Sequence, residues 1–118
     1  EEEMDALDRN LQKLAREQAE KHGLKVDIAY YDVFPETVNA PEAVAKIKAA
    51  AEKLGYEFSF MTQPERGSED FGYFTKKVPG AMFYIGNGHD YPGVHMVDFD
   101  FLDEHIPTAV AMFRELAK

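Results

Sequence analysis

Between Met4 and His22, apolar residues recur at Met4, Leu7, Leu11 and Leu14. That three-four-three spacing places them in one stripe of an α-helix. Glu1 to Glu3 before it and Lys21 and His22 at its end complement the helix dipole, and Gly23 supplies the stop. The other faces are charged, which predicts a surface helix packed on one side, against a sheet or a second copy. From Lys25 the period becomes two. Val26, Ile28 and Tyr30 alternate with Asp27, Ala29 and Tyr31, the pattern of a half-buried strand running to Phe34 and ended by Pro35. A second helix opens at Asn39-Ala40-Pro41-Glu42, where a proline near the first helical position loses no hydrogen bond. Val44, Ile47, Ala51 and Leu54 form its apolar face and Gly55 closes it. Residues 56–61 alternate again, predicting a second strand.

Residues 62–67 read as a loop, followed by a short helix with Ser68 as N-cap and Phe71 and Phe74 facing inward. After a turn at Pro79-Gly80, the apolar run 81–85 predicts a strand internal to a sheet. Residues 86–90 form a loop. In 98–101 alternating Asp and Phe predict an extended segment that buries Phe99 and Phe101. A last helix starts near Asp103, with Ile106, Ala109, Val110 and Phe113 as its buried stripe and Pro107 tolerated in its first turn. The order α-β-α-β-α-β-α predicts an α/β fold, a layered sheet with helices packed on it. The one candidate boundary lies between Phe34 and Asn39.

Composition narrows the partners. The 118 residues suit one domain, and 45% hydrophobic residues with nine Phe and six Tyr are enough for a core. A formal charge of −9, with no basic run, argues against nucleic acid. No apolar run approaches the ~20 residues of a membrane span. The absence of cysteine excludes disulfides, thiolate metal sites and a cysteine nucleophile, and fits a cytoplasmic setting. Glu1-Glu2-Glu3 is not a signal peptide, and the missing initiator Met suggests a piece of a longer or processed polypeptide.

The candidate chemistry rests on four histidines: His22, His89, His95 and His105. They form no His-x-x-x-His pair, so the helical zinc-protease motif is absent. His22 fits a helix C-terminus and His105 a surface first turn. His89 and His95 flank a Gly-rich loop with Asp90, Asp98 and Asp100 nearby; His95 reads either as a metal ligand or as an ordinary loop residue. Residues 98–104 lack the glycine and terminal glutamate of a calcium loop. Gly86-Asn87-Gly88 matches no phosphate-binding motif. Ser68 is explained by capping and has no histidine paired with it in sequence.

Three segments taken together resemble a known family. Gly67-Ser-Glu-Asp-Phe-Gly-Tyr-Phe74, Val78-Pro-Gly-Ala-Met-Phe-Tyr-Ile-Gly86 and Val94-His-Met-Val-Asp-Phe-Asp-Phe-Leu-Asp-Glu-His-Ile-Pro107 are similar, in order and spacing, to the C-terminal third of the M20 metallopeptidases. The branch they resemble is that of hippurate hydrolases and N-acyl-amino-acid and auxin-conjugate amidohydrolases. Thr37-Val-Asn-Ala-Pro-Glu42 is similar to the segment returning from that family's lid domain to its catalytic domain.

The resemblance implies a zinc-peptidase-like catalytic domain that hydrolyses amide bonds of N-acyl amino acids or peptides with zinc or manganese. It also implies a lid domain that mediates homodimerisation. Residues 1–36 would be the end of the lid and 37–118 the C-terminal part of the catalytic domain, either as separate units or as one compact unit. By the same resemblance His95 is a metal ligand, Asn39 a lid-hinge residue and Glu69 part of the active-site wall, both facing substrate. Met96-Val97 departs from the family's Asn/Ser-Pro. The family's other ligand segments and catalytic glutamates have no counterpart here, so no catalytic residue is expected, metal is expected to bind weakly, and the chain alone is expected to be inert. The alternative expectation is a non-catalytic α/β interaction module that dimerises through its first helix.

Overall fold

Helix α1 (Glu2–Lys21) opens the computed structural model, which describes residues 1–88 and 90–118. Helices α2 (Pro41–Lys53), α3 (Gly72–Thr75) and α4 (His105–Leu116) follow, joined by extended and turning chain. Two helix ends follow from single glycines. After α1, Gly23 takes φ +64 while its N–H donates to the Glu20 carbonyl at 3.1 Å and that of Leu24 to Ala19 at 2.8 Å. After α2, Gly55 takes φ +74, with Gly55 N–H on Glu52 at 3.1 Å and Tyr56 N–H on Ala51 at 2.9 Å. This pair of bonds around a left-handed residue satisfies carbonyls that the helix end would otherwise leave free. Pro41 starts α2, as its position predicts.

The layered α/β sheet does not form. Among the described residues there is no strand, and the segments expected as strands are extended chain without a ladder. Alternating polarity reports that successive side chains meet different surroundings, whereas a sheet also needs a second strand about 4.8 Å away. Each segment here lies beside something else. Tyr30 donates to the Asp8 carboxylate, drawing residues 24–34 along α1. In 56–61, Phe58 turns to the core and meets Phe60 edge-on at 5.2 Å. Residues 81–85 send Ala81 and Phe83 against α2 and α4.

The core is correspondingly small. Ile47, Ala50 and Ala51 of α2 pack on Met112 of α4, flanked by Leu54, Phe58, Ala81, Phe83 and Leu116. Among the described residues, these are the two helices that pack on one another. Lys53 closes the contact by reaching Glu115 at 2.5 Å. Two predicted stripes face elsewhere. Met4, Leu7, Leu11 and Leu14 of α1 are all more than half exposed, and the helix instead half-buries Ala6, Asp8 and Gln12 and buries Ala19. On α4 Met112 is buried and the predicted Ala109 half-buried, while Ile106, Val110 and Phe113 are exposed. Ser68 is not the cap of α3: the helix starts four residues later, Phe71 holds the N-cap position, and Phe74 is exposed.

The molecule measures 64 × 36 × 22 Å with a radius of gyration of 20.1 Å. A folded chain of this length averages about 13.5 Å. Its accessible surface is 10275 Å², against about 6,500 Å² for a compact monomer of this mass. No helix among the described residues is long and apolar enough to cross a membrane.

Candidate functional site

His95 stands at the tip of a tied loop. The N–H of Met96 donates to the Gly93 carbonyl at 3.1 Å, making a tight turn with His95 as its third residue. There the imidazole-bearing residue takes φ +70, a conformation that such turns ordinarily fill with glycine or asparagine. The turn is held from both sides. Tyr91 Oη donates to the Asp100 carbonyl at 2.7 Å, and its ring meets Phe99 edge-on at 6.1 Å. A further turn bond runs from Phe99 N–H to the Met96 carbonyl at 3.1 Å. The 98–101 segment is turned at its start; Phe99 is half-buried, but Phe101, expected to be buried too, is exposed. His95 is exposed, so the loop presents its side chain to solvent.

His105 anchors the other end of this region. Its Nε2 lies 2.7 Å from Asn87 Oδ1, and an amide oxygen can only accept, so Nε2 donates. The first turn of α4 is thereby fastened to the Gly86–Gly88 segment, and His105 is half-buried rather than simply on the surface. His22 is the C-cap of α1, as expected from its place in the sequence. His89 lies outside the described residues.

Asn39 is bonded to the 81–85 segment, and the charge of Glu69 is felt there at Tyr84. The Asn39 side-chain amide pairs both ways with the Met82 backbone: Nδ2 donates to the Met82 carbonyl and Oδ1 accepts from its N–H, each at 2.9 Å. Glu69 acts through charge. With partial burial as the first cause, and the carboxylates of Glu65 and Glu69 adding to it, the Tyr84 hydroxyl is pushed above its ordinary range. Glu69 thus stands in the field of Tyr84, two residues beyond Met82. Among the described residues no hydrogen bond or ion pair joins His95 to either of them.

The described residues do not by themselves fit a complete metal centre. No three of their His, Asp and Glu side chains come close enough together to hold an ion, and such a site takes three protein ligands or more. Two concavities among the described residues lie elsewhere: one is lined by Glu1, Glu2, Glu3, Asp5 and Glu36, the other by residues of α2 and α4 around Glu115. Sequence reasoning missed Gly72, Tyr73 and Asn87 as structural contacts. For Gly72 a signal existed, since a glycine between aromatic residues in a helical stretch commonly marks a close approach.

The sequence profile of peptidase family M20/M25/M40 matches residues 4–118. The chain belongs to this family. The M20 chain is 26% identical over 117 residues to an N-acetyldiaminopimelate deacetylase of Exiguobacterium sibiricum, covering 96% of this chain and 31% of that protein. An N-acetyldiaminopimelate deacetylase of Shouchella clausii is 33% identical over 108 residues, covering 91% and 28%. An N-acetylcysteine deacetylase of Bacillus subtilis is 27% identical over 128 residues, covering 98% and 33%. The M20 chain therefore spans about a third of the length of these curated relatives. No solved structure matches it significantly.

Proposed function

We propose that this M20 chain is part of a metal-dependent amidohydrolase that removes the acyl group from N-acyl amino acids or peptides. In this reading His95 supplies one imidazole to a zinc or manganese centre whose other ligands come from outside the described residues. The observation that carries it is the placement of His95: exposed, at the tip of a turn tied by Tyr91, at φ +70, a conformation uncommon for non-glycine residues. That exposure leaves the imidazole open to an ion whose other ligands come from elsewhere. Support also comes from the family match over residues 4–118 and from relatives named as deacetylases of acetylated amino acids.

Glu69 belongs to the wall beside Tyr84. Asn39, with its amide committed to Met82, acts on that wall by holding the 81–85 segment. One imidazole is no hydrolytic centre, so the 118-residue chain on its own is inert.

His95→Ala tests this in the full-length protein. Bound zinc or manganese should fall, and hydrolysis of an N-acetyl amino acid should drop by more than the ~10–100-fold that changes around a ligand produce. Undiminished metal content and activity would sink the assignment. Turnover of the same substrate by the 118-residue chain with added zinc or manganese would sink the claim that it is inert.

A further inference from the structure

We propose that His105 and Tyr91 are positioning residues for His95: they close the loop between the 81–85 segment and α4 in two nested steps and so fix where the imidazole stands. The inference rests on the reading of His95 given above and extends it to the residues that hold that side chain in place.

Three ties surround His95 like brackets. The outermost is His105 Nε2, which donates to Asn87 Oδ1 at 2.7 Å across 18 positions. Inside it, Tyr91 Oη donates to the Asp100 carbonyl at 2.7 Å across 9 positions. Innermost is the Met96 N–H on the Gly93 carbonyl at 3.1 Å, the turn that carries His95. The nesting has a physical consequence. Each tie shortens the loop that the next must close, and a shorter flexible loop costs less entropy to close. The inner turn therefore depends on the outer two.

The feet of the loop stand on the packed part of the molecule. Phe83, shortly before Asn87, packs on the α2–α4 core and lies 5.9 Å from Phe113 between ring centres. His105 is the first residue of α4, whose Met112 belongs to that core. Gly88 takes φ +96 directly after Asn87, so the chain leaves the clasp at a residue with no Cβ to strain. Burial is graded along the loop. Asn87, Tyr91, Phe99 and His105 are half-buried, whereas residues 93–98 are all exposed. Exposed residues gain no fixed position from packing, so placing the tip falls to the ties.

The test uses the full-length protein, and its first readout is amide exchange at Met96 and Phe99, followed by mass spectrometry. Both amides should be protected in the parent. They should exchange about fivefold faster in His105→Ala and in Tyr91→Phe, as loss of one hydrogen bond implies. His105→Gln, which keeps an N–H donor, should stay near the parent rate. The second readout is turnover of an N-acetyl amino acid. In His105→Ala and Tyr91→Phe kcat should fall, by up to about 100-fold for a misplacement of ~1 Å, with KM little changed. His105→Gln should recover most of that loss.

Unchanged exchange in both His105→Ala and Tyr91→Phe would overturn the proposal whatever the role of His95. So would faster exchange with kcat intact in a protein that His95→Ala inactivates, because the ties would then hold a loop without placing its imidazole. If His95→Ala leaves hydrolysis undiminished, the reading of His95 is what fails, and the exchange rates decide the ties by themselves. Should His105→Ala fail to fold, Tyr91→Phe decides, since it removes the hydroxyl and keeps the ring beside Phe99.

Discussion

At the scale of single residues, the backbone sorts side chains by what they are for. Gly23 and Gly55 sit at positive φ because the ends of α1 and α2 require it. Asp32, at φ +52, is a residue type that tolerates the left-handed region. His95, at φ +70, is of another type enriched there, but its imidazole is exposed at the tip of the turn. This predicts an inverted stability order at the position. His95→Gly should be more stable than His95→Ala by about 1 kcal/mol, because only glycine escapes the left-handed penalty. Thermal unfolding of the two variants checks this; an alanine variant as stable as the glycine one would show that the turn relaxes out of its left-handed form. His95 was legible in the sequence as a suspicious residue. Its strained turn was not, because φ depends on the Gly93–Met96 bond and on the Tyr91 tie to Asp100.

At the scale of elements, helices were legible and their faces only partly so. The apolar periodicity located α1, α2 and α4 to within a few residues, and for α2 it also named Ile47, Ala51 and Leu54 as core-facing. For α4 it was right about Ala109, which is half-buried, and missed Met112, while Ile106 and Val110 face out and Phe113 stays exposed although its ring meets Phe83 at 5.9 Å. Ile106, Val110 and Phe113 repeat as well as Met112 does, and which row turns inward is decided by where α2 lies. The α2–α4 contact carries a titratable clasp. Hydrogen bonds from Lys118 first and Lys53 second hold Glu115 below the ordinary carboxyl range. A lowered folded value means that the clasp stabilises fully above the ordinary carboxyl range. That contribution is lost as pH falls through the lower folded value. The melting-temperature gap between the parent chain and Glu115→Gln should therefore be present at pH 7 and close under strong acid. A gap independent of pH would assign the effect of Glu115 to packing.

At the scale of the whole molecule, surface is the governing quantity. The 10275 Å² left accessible implies that folding buries about 70% of the area a compact chain of equal mass would bury. Urea unfolding should accordingly show an m-value about 0.7 of that usual for the mass, since m follows the surface exposed on unfolding. An m-value at or above the usual one would mean that the chain buries far more in solution. The sequence by itself determined what is local: three helices, their glycine stops and proline start, the absence of thiol chemistry, and motifs sufficient for the M20 family. These depend on residues a few positions apart, whose propensities and spacing act without reference to the rest of the chain. Only the tertiary structure decided that residues 25–34, 56–61 and 81–85 are not strands of a sheet, that Gly72 lies against the 35–36 backbone, and that Asn39 is bonded to Met82. Each of these depends on a partner tens of residues away, and alternating polarity carries no information about whether that partner arrives.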